Sequence, residues 1–254
     1  MEYDRKKIIK SIIDLSFKKK EGHIPSSLSI IDILFVLYND IINKENLNEV
    51  DRDRFILSKG HASLGLYCVL DFFNLLDENL DSFCDFNSKI GGHPSTGLKY
   101  VEASTGSLGH GLPIAVGMSL AYKIKNYKGN VYTIIGDGES NEGTIWESAL
   151  LASNHKLSNL YCIMDYNHSN DRALDLLDPI KKFESFGWDC ISIDGHDLDQ
   201  IKHALTHKSK KPIFILANTI KGKGVKLMEN NHEWHHKSPT EDEYKLLIHD
   251  IENK

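Results

Sequence analysis

A carboxylate and an amide follow two consecutive apolar segments of the chain. Asp137 lies in the glycine turn 136–138 after the apolar run 131–135, and Asn167 follows the apolar run 160–164. Such oxygens suit Mg²⁺ or Ca²⁺, and Mg²⁺ prefers one or two protein oxygens completed by phosphate oxygens and water. The glycines beside Asp137 let an anion approach the backbone, and the helix that follows offers free N–H groups to phosphate. These residues predict a diphosphate held through a divalent cation.

A strand, a helix and a second strand must position this pair. Between the two apolar runs, Ile145, Ala149 and Ala152 recur on one face of a helix. Asn141 or Thr144 is expected to cap its start. Strand, helix and strand within about thirty residues predict a parallel βαβ unit. Both strands then end at one edge of the sheet, where open α/β sheets bind their ligands.

The remainder of the chain continues this alternation of strands and helices. A short apolar segment lies at 55–57, and further strands are expected at 190–193 and 213–217. Helical spacing predicts helices at 4–20, about 28–42, 198–205 and about 240–252, and a helix that ends within 183–188. The pattern predicts the α/β fold class for a single domain, 1–254, with a mostly parallel sheet flanked by helices.

Histidines in glycine-rich turns are the other candidates for chemistry. His23 lies between the first two predicted helices, and His93 follows a pair of glycines. His61 is expected to open a helix capped by Ser63. There the positive end of the helix dipole keeps the ring neutral, able to donate to a phosphate or accept from a hydroxyl. His196 is interpreted as a structural turn residue.

Composition excludes several classes of function. The chain has 254 residues, 41% of them apolar, and a net charge of −6 with scattered lysines and arginines, which argues against nucleic-acid binding. It contains no apolar run of membrane-spanning length. The N-terminus is charged and lacks an apolar signal core, which predicts a cytoplasmic protein. The four cysteines have no CxxC spacing and are expected to be reduced, structural thiols.

Five separated segments together resemble the transketolase family. The segment 136–167 fits the pattern GDGExxEGxxWE…A…LxNL…DYN, and 53–61 reads DRFILSKGH. The others are EGHIPSSLSIIDILFVLY at 21–38, TGSLGHG at 105–111 and TIKGKGVKLMENNHEWHHK at 219–237. They occur in the family's order and cover about residues 5 to 240. The resemblance implies the diphosphate-binding (PP-type) fold of thiamine diphosphate enzymes.

The resemblance also implies roles for individual residues. His23, His93 and His235 would contact substrate hydroxyls and transfer protons, and His61 would lie between diphosphate and substrate. Mg²⁺ (or Ca²⁺ or Mn²⁺) would be held by Asp137, Asn167 and the Ser169 carbonyl. Further cofactor-binding residues would be Gly106, Ser107, Leu108, Gly136, Gly138, Glu139 and Glu142. A glutamate at the position of Glu142 links two active sites across the dimer in this family, so we expect a subunit interface there.

The implied activity is ketol transfer, in which a two-carbon unit passes from a ketose to an aldose. Transketolases also carry a pyrimidine-binding domain and a C-terminal domain, for which this chain is too short. It therefore resembles the N-terminal subunit of a split transketolase, expected to be active only with a pyrimidine-binding partner, in an α2β2 heterotetramer acting on sugars or sugar phosphates. The family keeps on that partner domain the glutamate that activates the cofactor.

The sequence departs from the family pattern at three places. His110 replaces a glutamine and His236 replaces a glycine. The loop after Asn167 is about four residues shorter than in the family, and it lacks the apolar residue that props the thiazolium ring. Either Leu174 supplies that contact, or the cofactor is held less firmly until a partner docks.

Other functions compete with this interpretation. Within the superfamily, the alternatives are a 1-deoxyxylulose-phosphate-synthase-like half-enzyme and a 2-oxoacid dehydrogenase α subunit. His232, Glu233 and His236 fit the HExxH pattern of zinc hydrolases, but the glycines before them and Ser238–Pro239 after them disfavour the helix that such a site needs. The last alternative is a non-catalytic binding relative. Five retained residues argue against it: His23, His61, His93, Asp137 and His235.

Overall fold

A five-stranded parallel sheet forms the centre of the molecule. The computed structural model describes residues 3–170 and 174–252. The strands are β1 (Arg54–Leu57), β2 (Val131–Gly136), β3 (Leu160–Tyr166), β4 (Asp189–Asp194) and β5 (Ile213–Asn218). Their order in the sheet is β1-β2-β3-β5-β4, and every pairing is parallel. The predicted α/β class is confirmed, with a sheet that is entirely parallel among the described residues.

Helices cover both faces of the sheet. Their bounds are α1 (Arg5–Lys19), α2 (Ile24–Leu28), α3 (Ile31–Val36), α4 (Ser63–Phe72), α5 (Gly111–Lys125), α6 (Gly143–Asn154), α7 (Pro179–Ser185), α8 (Leu198–Thr206) and α9 (Glu241–Glu252). None of the helices in the described part of the chain is long and apolar enough to cross a membrane. The tail helix predicted at about 240–252 corresponds to α9.

Alternation along the central strands builds two separate cores. Tyr132 and Ile134 of β2 belong to a buried cluster that includes residues of α1, α3, α4 and α8. Val131 and Ile135 belong to a second cluster, which includes residues of α5, α6 and α7. Because side chains of a strand point alternately to opposite faces, a strand buried on both faces must be apolar throughout. This explains the uninterrupted apolar runs of the sequence.

The helix predicted at 28–42 is confirmed over residues 31–41, but it starts later than predicted and is not a single α-helix. The chain forms α2 and α3 with a break at Ser29, and then a π-type turn, Leu37–Ile41. The Ser29 hydroxyl lies 2.8 Å from Oδ2 of Asp165 at the end of β3. This long-range hydrogen bond anchors the segment where the periodicity alone predicted continuous helix.

Two predicted helix caps are also wrong. The Thr144 hydroxyl donates to the Gly109 carbonyl at 2.8 Å, and Asn141 ends a 3₁₀ turn, Gly138–Asn141, before α6. The Ser63 hydroxyl donates to the Gly91 carbonyl at 3.1 Å. His61 lies in the 3₁₀ turn Gly60–Ala62 that precedes α4. The Thr144 and Ser63 hydroxyls each join two segments that are distant in sequence.

Candidate active site

A cavity of about 400 Å³ opens at the carboxyl ends of β1, β2 and β3. Asp137 follows β2 and Asn167 follows β3, and both line this cavity. Residues 134 and 163, like 136 and 165, are paired in neighbouring strands, so the two strand ends lie side by side. The structure thus places the predicted carboxylate and amide together at one edge of the sheet.

Hydrogen bonds fix the orientation of the Asp137 and Asn167 side chains. Asp137 Oδ1 accepts from the Gly138 N–H at 2.7 Å, and Oδ2 accepts from the Asn170 N–H at 3.3 Å. Asn167 Nδ2 donates to Asp165 Oδ2 at 2.8 Å, and its Oδ1 accepts from the Ser169 N–H at 3.1 Å. Burial, followed by the nearby Asp165 charge, raises the pKa of Asp137. A hard cation fits this donor set, because it would offset the charge of a carboxylate that is 3% exposed.

Beneath the cavity lies a buried ion pair between Lys59 and Asp165. Their side chains are 2% and 0% exposed. Asp165 also accepts hydrogen bonds from Ser29 and Thr219. Burial alone would raise the pKa of Asp165, but the Lys59 ammonium and these hydrogen bonds outweigh it and hold the pKa below its usual value. Lys59 also lines the cavity, and its ammonium donates to the Ser26 carbonyl at 3.2 Å.

A second buried lysine makes the same cavity suitable for an anion. Lys221 is 4% exposed, and burial, followed by the charge of Lys59, lowers its pKa to about 8. Its Nζ lies 2.8 Å from Nδ1 of His235. Since the lysine is predominantly protonated at neutral pH, it donates to Nδ1 and leaves the proton of a neutral His235 ring on Nε2. The Lys221 ammonium favours a bound diphosphate, whereas the charge of Lys59 is balanced by Asp165.

Four histidines occupy the wall and mouth of the cavity: His23, His61, His93 and His235. The His23 ring centroid lies 5.2 Å from that of His61 and 5.5 Å from that of His235. Burial, followed by the neighbouring histidines, lowers the pKa of His23 to about 4. Burial and then the Lys59 charge lower the pKa of His61 to about 2. Both rings are therefore neutral at physiological pH, each with one N–H donor and one acceptor nitrogen.

Glycine is required where the loop before α5 passes His93. Gly106 has a φ of +150°, and a Cβ there would lie 3.0 Å from the His93 ring. Gly106 and Leu108 both line the cavity. The backbone of this loop can reach the cavity because Gly106 has no side chain.

Comparisons with known proteins identify the family of this chain. Residues 5–251 match the family described as "Transketolase, thiamine diphosphate binding domain". The chain belongs to the transketolase family. It is 33% identical to an apulose-4-phosphate transketolase subunit of Phocaeicola vulgatus, over 100% of this chain and 94% of that protein. It is 37% identical to the 6-deoxy-6-sulfo-D-fructose transketolase subunit SqwG of a Clostridium species, over 92% and 89%.

Solved transketolase structures share the fold of this chain. The transketolase of Campylobacter jejuni superposes with a TM-score of 0.87 at 32% identity, over 98% of this chain and 43% of that one. The transketolase of Leishmania mexicana gives a TM-score of 0.87 at 25% identity, over 100% and 41%. The chain thus spans about two fifths of these solved transketolases. The predicted thiamine diphosphate-binding fold is confirmed.

Not every residue predicted from the transketolase motifs reaches the cavity. Gly136, Gly138, Glu139 and Ser169 line it, whereas Ser107 and Glu142 stand outside the lining formed by the described residues. Ser107 and Glu142 are both exposed. Glu142 precedes the first residue of α6, so its predicted place at a subunit interface stays a prediction.

The Glu139 carboxylate lines the cavity but is engaged by the protein itself. Its Oε1 accepts from the Ser58 hydroxyl at 2.5 Å and from the Gly109 N–H at 2.8 Å. Its Oε2 accepts from the Gly136 N–H at 3.0 Å. Glu139 therefore ties the end of β1, the loop before α5 and the turn after β2 to one another.

The structure adds residues that the motifs did not predict. Ser26, Lys59, Asn170 and Lys221 line the cavity. Lysine is ordinarily an exposed residue, and burial of these two depends on the packing of distant segments. The position of Lys59 between a strand end and a glycine is the one signal that could have marked it.

The loop that follows Asn167 is described only in part. Residues 171–173 are part of the loop that is predicted to be shorter than in the family, and they lie outside the described residues. Leu174 is 61% exposed, and its carbonyl accepts a hydrogen bond from Asn170. Leu174 is not among the described residues that line the cavity. An apolar contact from Leu174 to the thiazolium ring would therefore need a second surface.

The zinc-hydrolase alternative has no structural support. His232 begins a 3₁₀ turn, His232–Trp234, and not a helix. The His236 ring points to Glu21, with Nε2 2.9 Å from Oε1. Across residues 3–170 and 174–252, no three His, Cys, Asp or Glu side chains converge as a metal site. His196 bonds Asp32 and the Ile220 N–H, which agrees with the predicted structural role.

Proposed function

We propose that this chain is the diphosphate- and magnesium-binding subunit of a two-component transketolase. The observation that carries the proposal is the convergence of Asp137 and Asn167, from neighbouring strand ends, on a cavity that also contains histidines and two buried lysines. The named subunits from P. vulgatus and Clostridium support it, because the chain covers 94% and 89% of their lengths. The reaction would transfer a two-carbon ketol unit from a ketose to an aldose.

The binding residues have distinct roles in this proposal. Asp137, Asn167 and the Ser169 carbonyl would hold Mg²⁺, while the Lys221 ammonium would offset part of the diphosphate charge. When bound, thiamine diphosphate supplies the carbanion that cleaves and forms carbon–carbon bonds. The protein supplies position, hydrogen bonds and proton transfer.

Neutral histidines are suited to the hydroxyl groups of a sugar. His23 and His61 can each donate one hydrogen bond to a substrate oxygen and accept another, because their pKa values lie far below neutrality. The hydrogen bond from Lys221 to Nδ1 of His235 leaves the Nε2–H group of His235 as a donor to the substrate. His93 is exposed at the mouth and would contact the substrate farther from the cofactor.

A partner chain completes the proposed enzyme. We assign to it the pyrimidine-binding and C-terminal domains, and to residues 1–254 a single diphosphate-binding domain. An α2β2 assembly is proposed because the family joins two active sites near the position of Glu142. Substrates are sugars or sugar phosphates, and the cytoplasm is the proposed location, in keeping with four free cysteines.

Calorimetric titration of the full chain with thiamine diphosphate, with and without Mg²⁺, tests the proposal. Asp137→Asn should lower the magnesium-dependent affinity by about tenfold or more, which corresponds to about 1.4 kcal/mol. Asp242→Asn, at an exposed position of α9, is the matched control and should bind as the parent does. Equal affinity of the Asp137→Asn variant and the parent would refute the assignment of the metal site.

A further inference from the structure

At the rim of the cavity, Glu21 and His236 form a contact that the proposed function does not use. His236 Nε2 lies 2.9 Å from Glu21 Oε1, although the residues are 215 positions apart in the chain. Their side chains are 39% and 55% exposed, for Glu21 and His236 respectively. The same Glu21 oxygen accepts from the Gly22 N–H at 3.0 Å. One carboxylate oxygen thus joins the turn immediately before His23 to the segment that carries His236.

The His236 ring also packs on the ring of His23. The two centroids are 4.4 Å apart, with an angle of 30° between the ring planes. His61 and His235 approach His23 edge-on, with centroids at 5.2 and 5.5 Å. His23 is therefore held among three other histidine rings, and His236 contributes the nearest and most nearly parallel one.

We propose that the Glu21–His236 pair is a positioning element that holds the His23 imidazole in a fixed orientation toward the sugar substrate. Glu21 restrains the backbone beside His23, and His236 covers one face of its ring. Neither side chain is among those that line the described cavity, so both act through His23. The inference rests on the proposed function for the identity of the substrate, but the restraint on His23 is a property of this chain alone.

A stabilising surface ion pair would be a simpler role for Glu21 and His236, but that role predicts an unchanged His23 pKa when the pair is removed. Stability does not distinguish the two roles, because exposed ion pairs contribute little to the free energy of unfolding. The hydrogen bond to His236 lowers the pKa of Glu21, which keeps the carboxylate ionised as an acceptor. The titratable groups that face His23 are His61, His93, His235, His236 and Glu21. Loss of the His236 ring would admit water to the face of His23 that it covers.

Histidine NMR titration of the full chain without cofactor tests the restraint directly. The pKa of His23 in the parent is about 4. In His236→Ala it should rise so that His23 titrates above about pH 5, because burial and neighbouring charge both hold it down. His236→Phe keeps a ring over His23 and should leave that pKa nearer the parent value. His232→Ala, in the same segment and also exposed, is the control. An unchanged His23 pKa in His236→Ala would overturn the proposal.

Kinetics of the chain assembled with its partner subunit test the consequence for substrate. His236→Ala and Glu21→Ala should each raise KM for the ketose about threefold or more, with unchanged affinity for thiamine diphosphate. The double variant should be no worse than either single variant, because the two residues act as a unit. Glu21→Gln keeps an acceptor oxygen and should restore most of the parental KM. Additive effects, or unchanged KM in both single variants, would overturn the proposal. If the parent neither binds the cofactor nor turns over, the proposed function fails, and the NMR titration still decides the role of the pair.

Discussion

Burial sets the charge state of the two histidines deepest in the cavity. For His61 the loss of hydration has a larger effect on the pKa than the nearby Lys59 charge, and for His23 it has a larger effect than the other histidines. A histidine that is neutral at every physiological pH does not act as a fixed cation. It acts as a paired donor and acceptor, which suits proton movement between sugar hydroxyls.

The depressed pKa of His61 predicts acid sensitivity of the fold. In the unfolded chain this ring gains its proton as the pH falls through about 6.5. In the folded chain it stays neutral until about pH 2. Burial of the neutral ring therefore has no pH-dependent cost above about pH 6.5. Below that pH the free energy of unfolding falls by about 1.4 kcal/mol per pH unit. Urea unfolding of the cofactor-free chain should therefore show that the free energy of unfolding falls less for His61→Gln than for the parent between about pH 7 and about pH 5. The difference should be about 2 kcal/mol. Equal losses in the two proteins would contradict this account.

The buried Lys59–Asp165 pair predicts a large effect of removing one partner. In Lys59→Met, the Asp165 carboxylate, which is 0% exposed in the parent, would lose its countercharge. Loss of one partner of a buried pair costs about 3–5 kcal/mol, and the remaining hydrogen bonds place the expected value toward the lower end. The exposed pair of Lys202 and Asp40 supplies the control, since Lys202→Met should change stability by less than about 1 kcal/mol. Similar urea midpoints for the two variants would show that the buried pair is not structurally important.

At the residue scale, the sequence predicted the acceptors of the site better than its cations. Asp137 and Asn167 follow apolar strands, and the place of a strand end in a parallel sheet is determined locally. Lys59 is marked locally only by its position between the end of β1 and a glycine, and Lys221 is an ordinary lysine by local pattern. Their burial arises because β1 and the segment after β5 meet at the same edge of the sheet, which no local pattern specifies.

At the scale of elements, close approach of α5 to β1 depends on a glycine. A Cβ at Gly111 would lie 2.4 Å from Cβ and Oγ of Ser58, whereas a Cβ at Gly117 of the same helix meets nothing within 4 Å. Gly111→Ala should destabilise the chain by about 1–3 kcal/mol through overpacking. Gly117→Ala should stabilise it by about 0.5–1 kcal/mol, because alanine favours helix. Thermal unfolding should show a lower Tm for Gly111→Ala and a higher Tm for Gly117→Ala than for the parent. A stabilising Gly111→Ala would contradict the packing argument.

The elements that were predicted wrongly share one cause. Strands were recognised because burial on both faces requires an apolar run. The start of the helix predicted at 28–42 and the caps of α4 and α6 were missed because Ser29, Ser63 and Thr144 bond distant backbone or side chains. A hydroxyl beside a helix carries the same local pattern whether it caps that helix or joins it to another segment.

At the scale of the molecule, the cavity draws on segments from one end of the sequence to the other. His23 precedes α2, Asp137 and Asn167 follow β2 and β3, and His235 lies after β5. Such a site exists only in the folded chain, so a ligand of the site binds the native state and not the unfolded one. The ligand must then raise the unfolding temperature, by linkage.

This linkage gives a quantitative prediction for the whole chain. Thiamine diphosphate with Mg²⁺, at about 100 times its dissociation constant, should add about 2.7 kcal/mol of stability. For a chain of this size that corresponds to a rise in Tm of about 5–10 °C in scanning calorimetry. Because the diphosphate is proposed to bind through the cation, excess EDTA should abolish most of the shift, while Mg²⁺ alone should produce little. Addition of the partner subunit should enlarge the shift if it completes the surface beside Leu174. A full shift that persists in EDTA would mean that the diphosphate binds without the metal, and the arrangement proposed for Asp137 and Asn167 would then be wrong.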